Sequence, residues 1–154
     1  MTPTFHEKGG WWVATQFVLM AGIIAAGLRL GNDWSNDEIS TLGQSLFLLG
    51  AGVGIAGAWT LGRNRTAYPM PKANAELIQH GIYGYIRHPL YTCLILLGLG
   101  WALAWQSTAA LLTTGLMTLQ LRFKAKFEER HLEQRFPEYA AYRQRVPAFI
   151  PRLH

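Results

Sequence analysis

Charged side chains are missing from three long stretches of this chain, and that pattern governs its reading. No Asp, Glu, Lys or Arg occurs from Trp11 to Leu28, from Ile39 to Gly62, or from Pro89 to Leu121. A helix crossing the hydrocarbon core of a bilayer needs about 20 apolar residues. The first two runs therefore predict single membrane helices, about Trp11 to Leu30 and about Ile39 to Gly62. The third run, residues 89 to 121, is too long for one crossing. A break at Gln106-Ser107 divides it into two helices of about 16 residues, or about 24 Å each. That length suits a close-packed hairpin that thins the bilayer locally or does not fully cross it. After Leu121 the composition changes. Phe123, Phe127, Leu132 and Phe136 recur at helical spacing with charges between them, which predicts an amphipathic continuation of the fourth helix. Pro137 interrupts it. A short helix from Glu138 to Arg145 follows, with Tyr139, Tyr142 and Val146 on one face, and Pro147 and Pro151 end it.

The predicted fold is thus all-α and integral to the membrane: four transmembrane helices, the last two a hairpin, followed by a cytoplasmic amphipathic tail. It is one domain over 1–154, comprising two N-terminal membrane helices (1–62), a cytoplasmic loop (63–88), the hairpin (89–121) and the tail (122–154). The first apolar run exceeds the length of about 7–15 residues usual for a cleaved signal, and a retained helix is expected.

Composition agrees. Of 154 residues, 50% are apolar and 15% charged, against about 25% charged in soluble domains. The net charge of +5 would raise nucleic acid as a partner in a soluble protein. Here the basic residues lie between and after the apolar runs, so a lipid bilayer is the expected partner and nucleic acid is not. The loop after the first helix carries Asp33, Asp37 and Glu38. The loop after the second carries Arg63, Arg65, Lys72 and Arg87, and the tail holds Arg122, Lys124, Lys126, Arg130, Arg135, Arg143, Arg145 and Arg152. The positive-inside rule places the second loop and the tail in the cytoplasm, and an even number of helices brings the N-terminus, with Lys8, to the same side. Trp11, Trp12 and Trp59 near one face and Trp34, Trp101 and Trp105 near the other form an aromatic belt. One cysteine, Cys93, excludes an intrachain disulfide and a cysteine zinc site, and no metal is expected. Gly50 and Gly54 form a GxxxG pair on a glycine-rich second helix. Packing within the chain and a homodimer seam are the two readings of that face.

Two cytoplasmic segments can carry chemistry. In the first, residues 80–91, Pro89 suits the first position of a helix, where free N–H groups and the positive dipole end favour an anion. Arg87 and His88 add donors there. In the second, Glu128 and Glu129 stand at the mouth of the fourth helix and suit a cationic group. Adjacent helical residues point about 100° apart, so one glutamate faces a site and the other meets solvent or a basic neighbour. Together the segments match the charges of a zwitterionic amino acid. Arg87 as an interfacial snorkelling residue, His88 as a helix cap, and the glutamates as a solvated face are the plainer readings. Tyr139 and Tyr142 read as anchors of the tail helix, and Cys93 as packing.

These residues resemble the isoprenylcysteine carboxyl methyltransferase family and its bacterial relatives, with the phospholipid methyltransferases as wider kin. The resemblance rests on Leu77-x-x-x-Gly81-x-Tyr83, Arg87-His88-Pro89-x-Tyr91, Glu128-Glu129-x-x-Leu132-x-x-x-Phe136 and Tyr139-x-x-Tyr142-x-x-Arg145-Val146-Pro147. It covers about the C-terminal half. The stretch Phe136-Pro137-Glu138-Tyr139 is one residue shorter than the family's Phe-Gly turn, with proline for glycine. The resemblance implies an S-adenosylmethionine pocket drawing on Gly81, Tyr83, Tyr85, Arg87, His88, Pro89, Tyr91, Glu128 and Glu129. It implies Arg145 as the catalytic arginine beside an acceptor that is lipophilic or lipidated, with a carboxylate as one candidate. A bacterial inner membrane with both termini cytoplasmic is the expected location. Two rivals stand beside this reading: an NADPH-dependent membrane reductase of the sterol type, which shares the Arg-His-Pro-x-Tyr segment, and a non-catalytic membrane protein.

Overall fold

The computed structural model describes Thr4, residues 9–71 and residues 74–151. Lys8, Lys72 and Arg152 of the charge pattern lie outside the described residues. Helices α1 (Gly10–Arg29), α2 (Asp37–Leu61), α3 (Pro89–Ala104), α4 (Thr108–Arg135) and α5 (Tyr139–Arg145) follow in order, with 3₁₀ turns at Gly62–Asn64 and Gly81–Gly84. Among the described residues there is no strand.

Two stretches, Gly10–Arg29 and Asp37–Asn64, are long and apolar enough to cross a membrane. Only 11% of each span is buried, whereas a soluble core helix of that composition would be mostly covered. Val18, Leu48, Ile55 and Trp59 stand exposed along them, so the apolar surface faces outward as well as inward. α3 is apolar but has 16 residues, about 24 Å. The division of the third apolar run falls where the sequence predicts it. Gln106 takes a left-handed φ of 50°, and Ser107 caps α4 by accepting from Ala110 N at 3.3 Å. The α3–α4 turn is fastened to the end of α1: Ser107 Oγ donates to Leu30 O at 2.6 Å, and Asp33 Oδ2 accepts from Thr108 N at 2.7 Å.

α2 packs along α3, α1 along α4, and α3 and α4 form the hairpin. Small residues make the first of these contacts close. A Cβ on Gly43 would lie 2.8 Å from Gly100 O, and one on Gly100 would lie 2.7 Å from Gly43 O. Gly50 faces Leu96 and Leu97, and Gly54 faces the buried Cys93. The Gly50/Gly54 face is therefore occupied by α3 of the same chain. α4 runs without a break past Leu121 for 28 residues in all, carrying about four turns beyond the uncharged run. It stops before Pro137, and α5 folds back against it, with Tyr139, Tyr142 and Val146 packed on Leu77, Leu132 and Phe136.

Replacing Gly100 by Ala drives a methyl into the backbone of α2 and is expected to cost about 1–3 kcal/mol. Gly52→Ala, whose new methyl meets nothing within 4 Å, should gain up to about 1 kcal/mol of helix propensity. Thermal unfolding of the two variants in detergent checks the contrast.

Candidate functional site

The N-terminus of α3, the emergent part of α4 and the segment after α5 meet at one point. Pro89 opens α3, and His88 just before it contributes no side-chain cap. The extended segment after α5 lies against this end: Arg87 N donates to Pro147 O and His88 N to Ala148 O, both at 2.9 Å. Thr92 Oγ1 donates to Phe149 O at 2.9 Å. The backbone donors of Arg87 and His88 are thus taken up by the chain itself.

Glu129 is the hub. Its Oε1 accepts from Arg87 Nε at 3.0 Å and Nη2 at 2.7 Å and lies 2.9 Å from His88 Nε2. Arg143 Nε lies 3.6 Å from Oε2. Arg87 Nη1 also donates to Val146 O and, at 3.1 Å, to Arg143 O. The Glu129 side chain is 7% exposed. Burial alone would raise its carboxyl pKa, but hydrogen bonds and charge from His88 and Arg87 outweigh burial and hold it at about 2.

Glu128 has a different setting. Its side chain is 26% exposed. Oε2 accepts from Tyr91 OH at 2.7 Å and lies 3.8 Å from His88 Nδ1, while no described residue bonds to Oε1. The Tyr91 ring stacks on His88 at 5.3 Å and 4°, and Lys124 Nζ lies 5.2 Å from its centroid. Lys124 is buried, donating to Gln16 Oε1 at 2.7 Å and Ala67 O at 3.1 Å. Burial lowers its pKa to about 8 against the opposing pull of Glu128.

A cavity of about 110 Å³ opens over this cluster. Arg87, His88, Tyr91, Glu128 and Tyr139 line its charged end. Its other wall is the irregular segment after α2, including Asn64, Thr66, Tyr68 and Glu76, facing Leu132 and Phe136. Glu128 lines the cavity, and Glu129 lies behind it.

Comparison with known sequences gives the architecture a family. The sequence pattern of the phospholipid methyltransferases matches residues 39–139, a span that takes in nearly all of α2, the whole of α3 and α4, and Arg87, His88, Tyr91, Glu128 and Glu129. The chain belongs to the phospholipid methyltransferase family. It is 37% identical to the cobalt-zinc-cadmium resistance protein CzcN of Cupriavidus metallidurans, over 97% of this chain and 66% of that protein. It is 33% identical to the nickel-cobalt-cadmium resistance protein NccN of Alcaligenes xylosoxydans xylosoxydans, over 97% of this chain and 67% of that protein. The chain spans about two thirds of the length of these relatives. Among the described residues, no three His, Cys, Asp or Glu side chains gather in a way that could hold a metal ion.

Of the residues singled out in the sequence of this family member, Tyr83, Arg87, His88, Tyr91 and Glu128 line the cavity. Pro89 and Glu129 are buried behind it. Gly81, at φ 58°, starts the turn that presents Tyr83, whose carbonyl accepts from Tyr142 OH at 2.6 Å. Tyr85 is 70% exposed and points away from the cluster. Arg145 is exposed too. Its Nη2 donates to Gln79 Oε1 at 3.3 Å and its Nε to Ala141 O at 3.4 Å, outside the cavity. Lys124, Arg143 and the wall after α2 join the site without having been singled out. Lys124 has one sequence signal: it precedes Glu128 by four residues and so shares its helical face.

Because Glu129 is more acidic folded than unfolded, its contribution is complete above its ordinary pKa near 4.5 and fades as pH falls towards about 2. It amounts to on the order of 3 kcal/mol. Unfolding followed between pH 6 and pH 3 should show that loss in the parent chain. Glu129→Gln should be less stable at neutral pH and should lack this acid-dependent component.

Proposed function

We propose that this chain is an S-adenosylmethionine-dependent methyltransferase acting at the cytoplasmic membrane face on a lipophilic acceptor. In this reading all four of α1–α4 sit in the bilayer of a bacterial inner membrane, α3 and α4 as a short hairpin, with both termini cytoplasmic. Membership of the phospholipid methyltransferase family and the two apolar spans support it.

The observation that carries the reading is the division of labour between the adjacent glutamates. Glu129 lies behind the cavity, its Oε1 held by Arg87 and His88 and its Oε2 3.6 Å from Arg143, whereas Glu128 lines the cavity, and its Oε1 takes no hydrogen bond from the described residues. Such an oxygen fits a cationic group, and S-adenosylmethionine carries two, an ammonium and a sulfonium. The donor supplies a methyl group already activated by positively charged sulfur, so the reaction asks the protein chiefly to hold and orient its reactants. Glu128 binds the cationic part, and Tyr91 fixes that carboxylate by donating to its other oxygen. His88, clamped between Glu129 and Tyr91, closes the floor. Leu132 and Phe136, with the wall after α2, exclude water from the reacting region.

The acceptor's apolar part has a place of its own. A second cavity, about 230 Å³ and almost wholly apolar, lies among Met20, Phe47, Leu94, Trp101 and Met117. Leu94 is one helical turn along α3 from Tyr91. An amphiphile with its reactive head near Tyr91 and Glu128 would lay a hydrocarbon tail there. Arg145, exposed beside Gln79, would meet an anionic head at the rim. From the relatives' names, we take the acceptor to belong to a membrane system of metal resistance.

Detergent-purified protein should bind S-adenosylhomocysteine with micromolar affinity by calorimetry and should not bind NADPH. Glu128→Gln should weaken that binding by about tenfold or more, the worth of a hydrogen bond to a charged group, while melting like the parent. Binding of NADPH alone would move the protein to the reductases, and binding of neither would remove the enzyme reading.

A further inference from the structure

Helix α4 presents two opposite faces. At 100° per residue, Ala110, Thr114, Met117, Leu121 and Glu128 fall on the side that packs inward, and the first four are buried. The opposite side carries Leu112, Leu116, Leu119 and Phe123, which are 68%, 60%, 52% and 50% exposed. Continued along the helix, that same line reaches Lys126 and Arg130, with Arg122 beside it. All three basic residues are exposed, and none has an acidic partner among the described residues. The neighbouring glutamates are committed elsewhere: Glu129 to Arg87 and His88, and Glu133 to Arg143 at 2.5 Å. Lys126 Nζ stands 6.0 Å from the Phe123 ring centroid, where the apolar line turns cationic.

We propose that Arg122, Lys126 and Arg130 form a binding surface for anionic phospholipid headgroups. An outward apolar line that continues without a bend into exposed cations matches the order of a lipid leaflet, with acyl chains first and phosphates after. The straight path of α4 keeps both parts on one side of the helix, so a single lipid can lie along it with its tail on Leu119 and Phe123 and its phosphate against Lys126. The anion is a lipid phosphate and not a free one, because the three cations stand exposed on the surface of the helix and depend on the adjoining apolar line to bring the partner in. Juxtamembrane basic residues each contribute about fivefold to binding an anionic membrane surface, and such binding is screened by salt. The site lies opposite the methyl-transfer cavity and does not depend on that activity.

The test uses the full chain in a neutral detergent, titrated with short-chain phosphatidylglycerol or phosphatidylcholine and followed by native mass spectrometry and thermal unfolding. Phosphatidylglycerol should bind at least tenfold more tightly and raise the melting temperature more. That preference should fall at high salt and should disappear in the Arg122→Gln, Lys126→Gln, Arg130→Gln triple variant. The triple variant should melt like the parent when no lipid is added, since all three side chains are exposed. Glycerol phosphate at matched concentration should not compete. The proposal is overturned if the triple variant keeps the preference, if Arg63→Gln with Arg65→Gln abolishes it equally, or if glycerol phosphate displaces the lipid.

Discussion

A carboxylate moved out of water must be surrounded by donors, or it will be protonated or will unfold the structure around it. Glu129 is such a group, and the cytoplasmic half of this protein is arranged to meet its requirement. Arg87 reaches it from the residue pair before α3, His88 from the next position, and Arg143 from α5. The Arg87-His88 pair, Arg143 and Glu129 itself belong to three different parts of the fold, so satisfying one carboxylate fixes the start of the hairpin, its far end and the tail relative to one another. The same contacts leave Arg87 few donors for any ligand. A residue that looks like a ligand-binding cation in the sequence therefore serves mainly to hold the frame.

The frame gives the neighbouring glutamate its character. Glu128 is displaced about 100° around the helix from Glu129 and so escapes the cluster. With Tyr91 steadying one oxygen, it offers the other to the cavity. Two identical side chains, adjacent in sequence, thus take up opposite duties because the helix turns between them. Lys124, one turn earlier on the face of Glu128, adds positive charge behind Tyr91. It also ties α1 and the wall after α2 to the same place.

Much of this was legible in the sequence, for specific reasons. The uncharged runs located α1 to α4, because a polar break in an apolar helix is rarely silent, and Gln106-Ser107 was such a break. Pro137 marked the end of α4 because its ring cannot continue the helix. The meeting of the Arg87 and Glu129 segments followed from the hairpin. The sequence could not assign Glu128 and Glu129 their separate parts, since that depends on where the tail passes. Lys124 was hidden among eight basic residues of the tail, where charge alone does not distinguish a buried ammonium from a solvated one. The wall from Asn64 to Glu76 has no periodicity to read. Arg145, prominent in the motif, and Tyr85, assigned to the implied pocket, are both exposed, a matter of side-chain direction that spacing does not reveal.

The strand-like segment after α5 has a consequence for how the molecule is made. Its carbonyls at Pro147 and Ala148 close the backbone donors of Arg87 and His88, which lie some sixty positions earlier in the chain. During synthesis, the start of α3 must wait with those donors open until the tail has left the ribosome and folded back. A nascent or prematurely terminated chain lacking this segment would carry its helices but not a finished site. The site is thus finished by a segment that is made after all of its other parts.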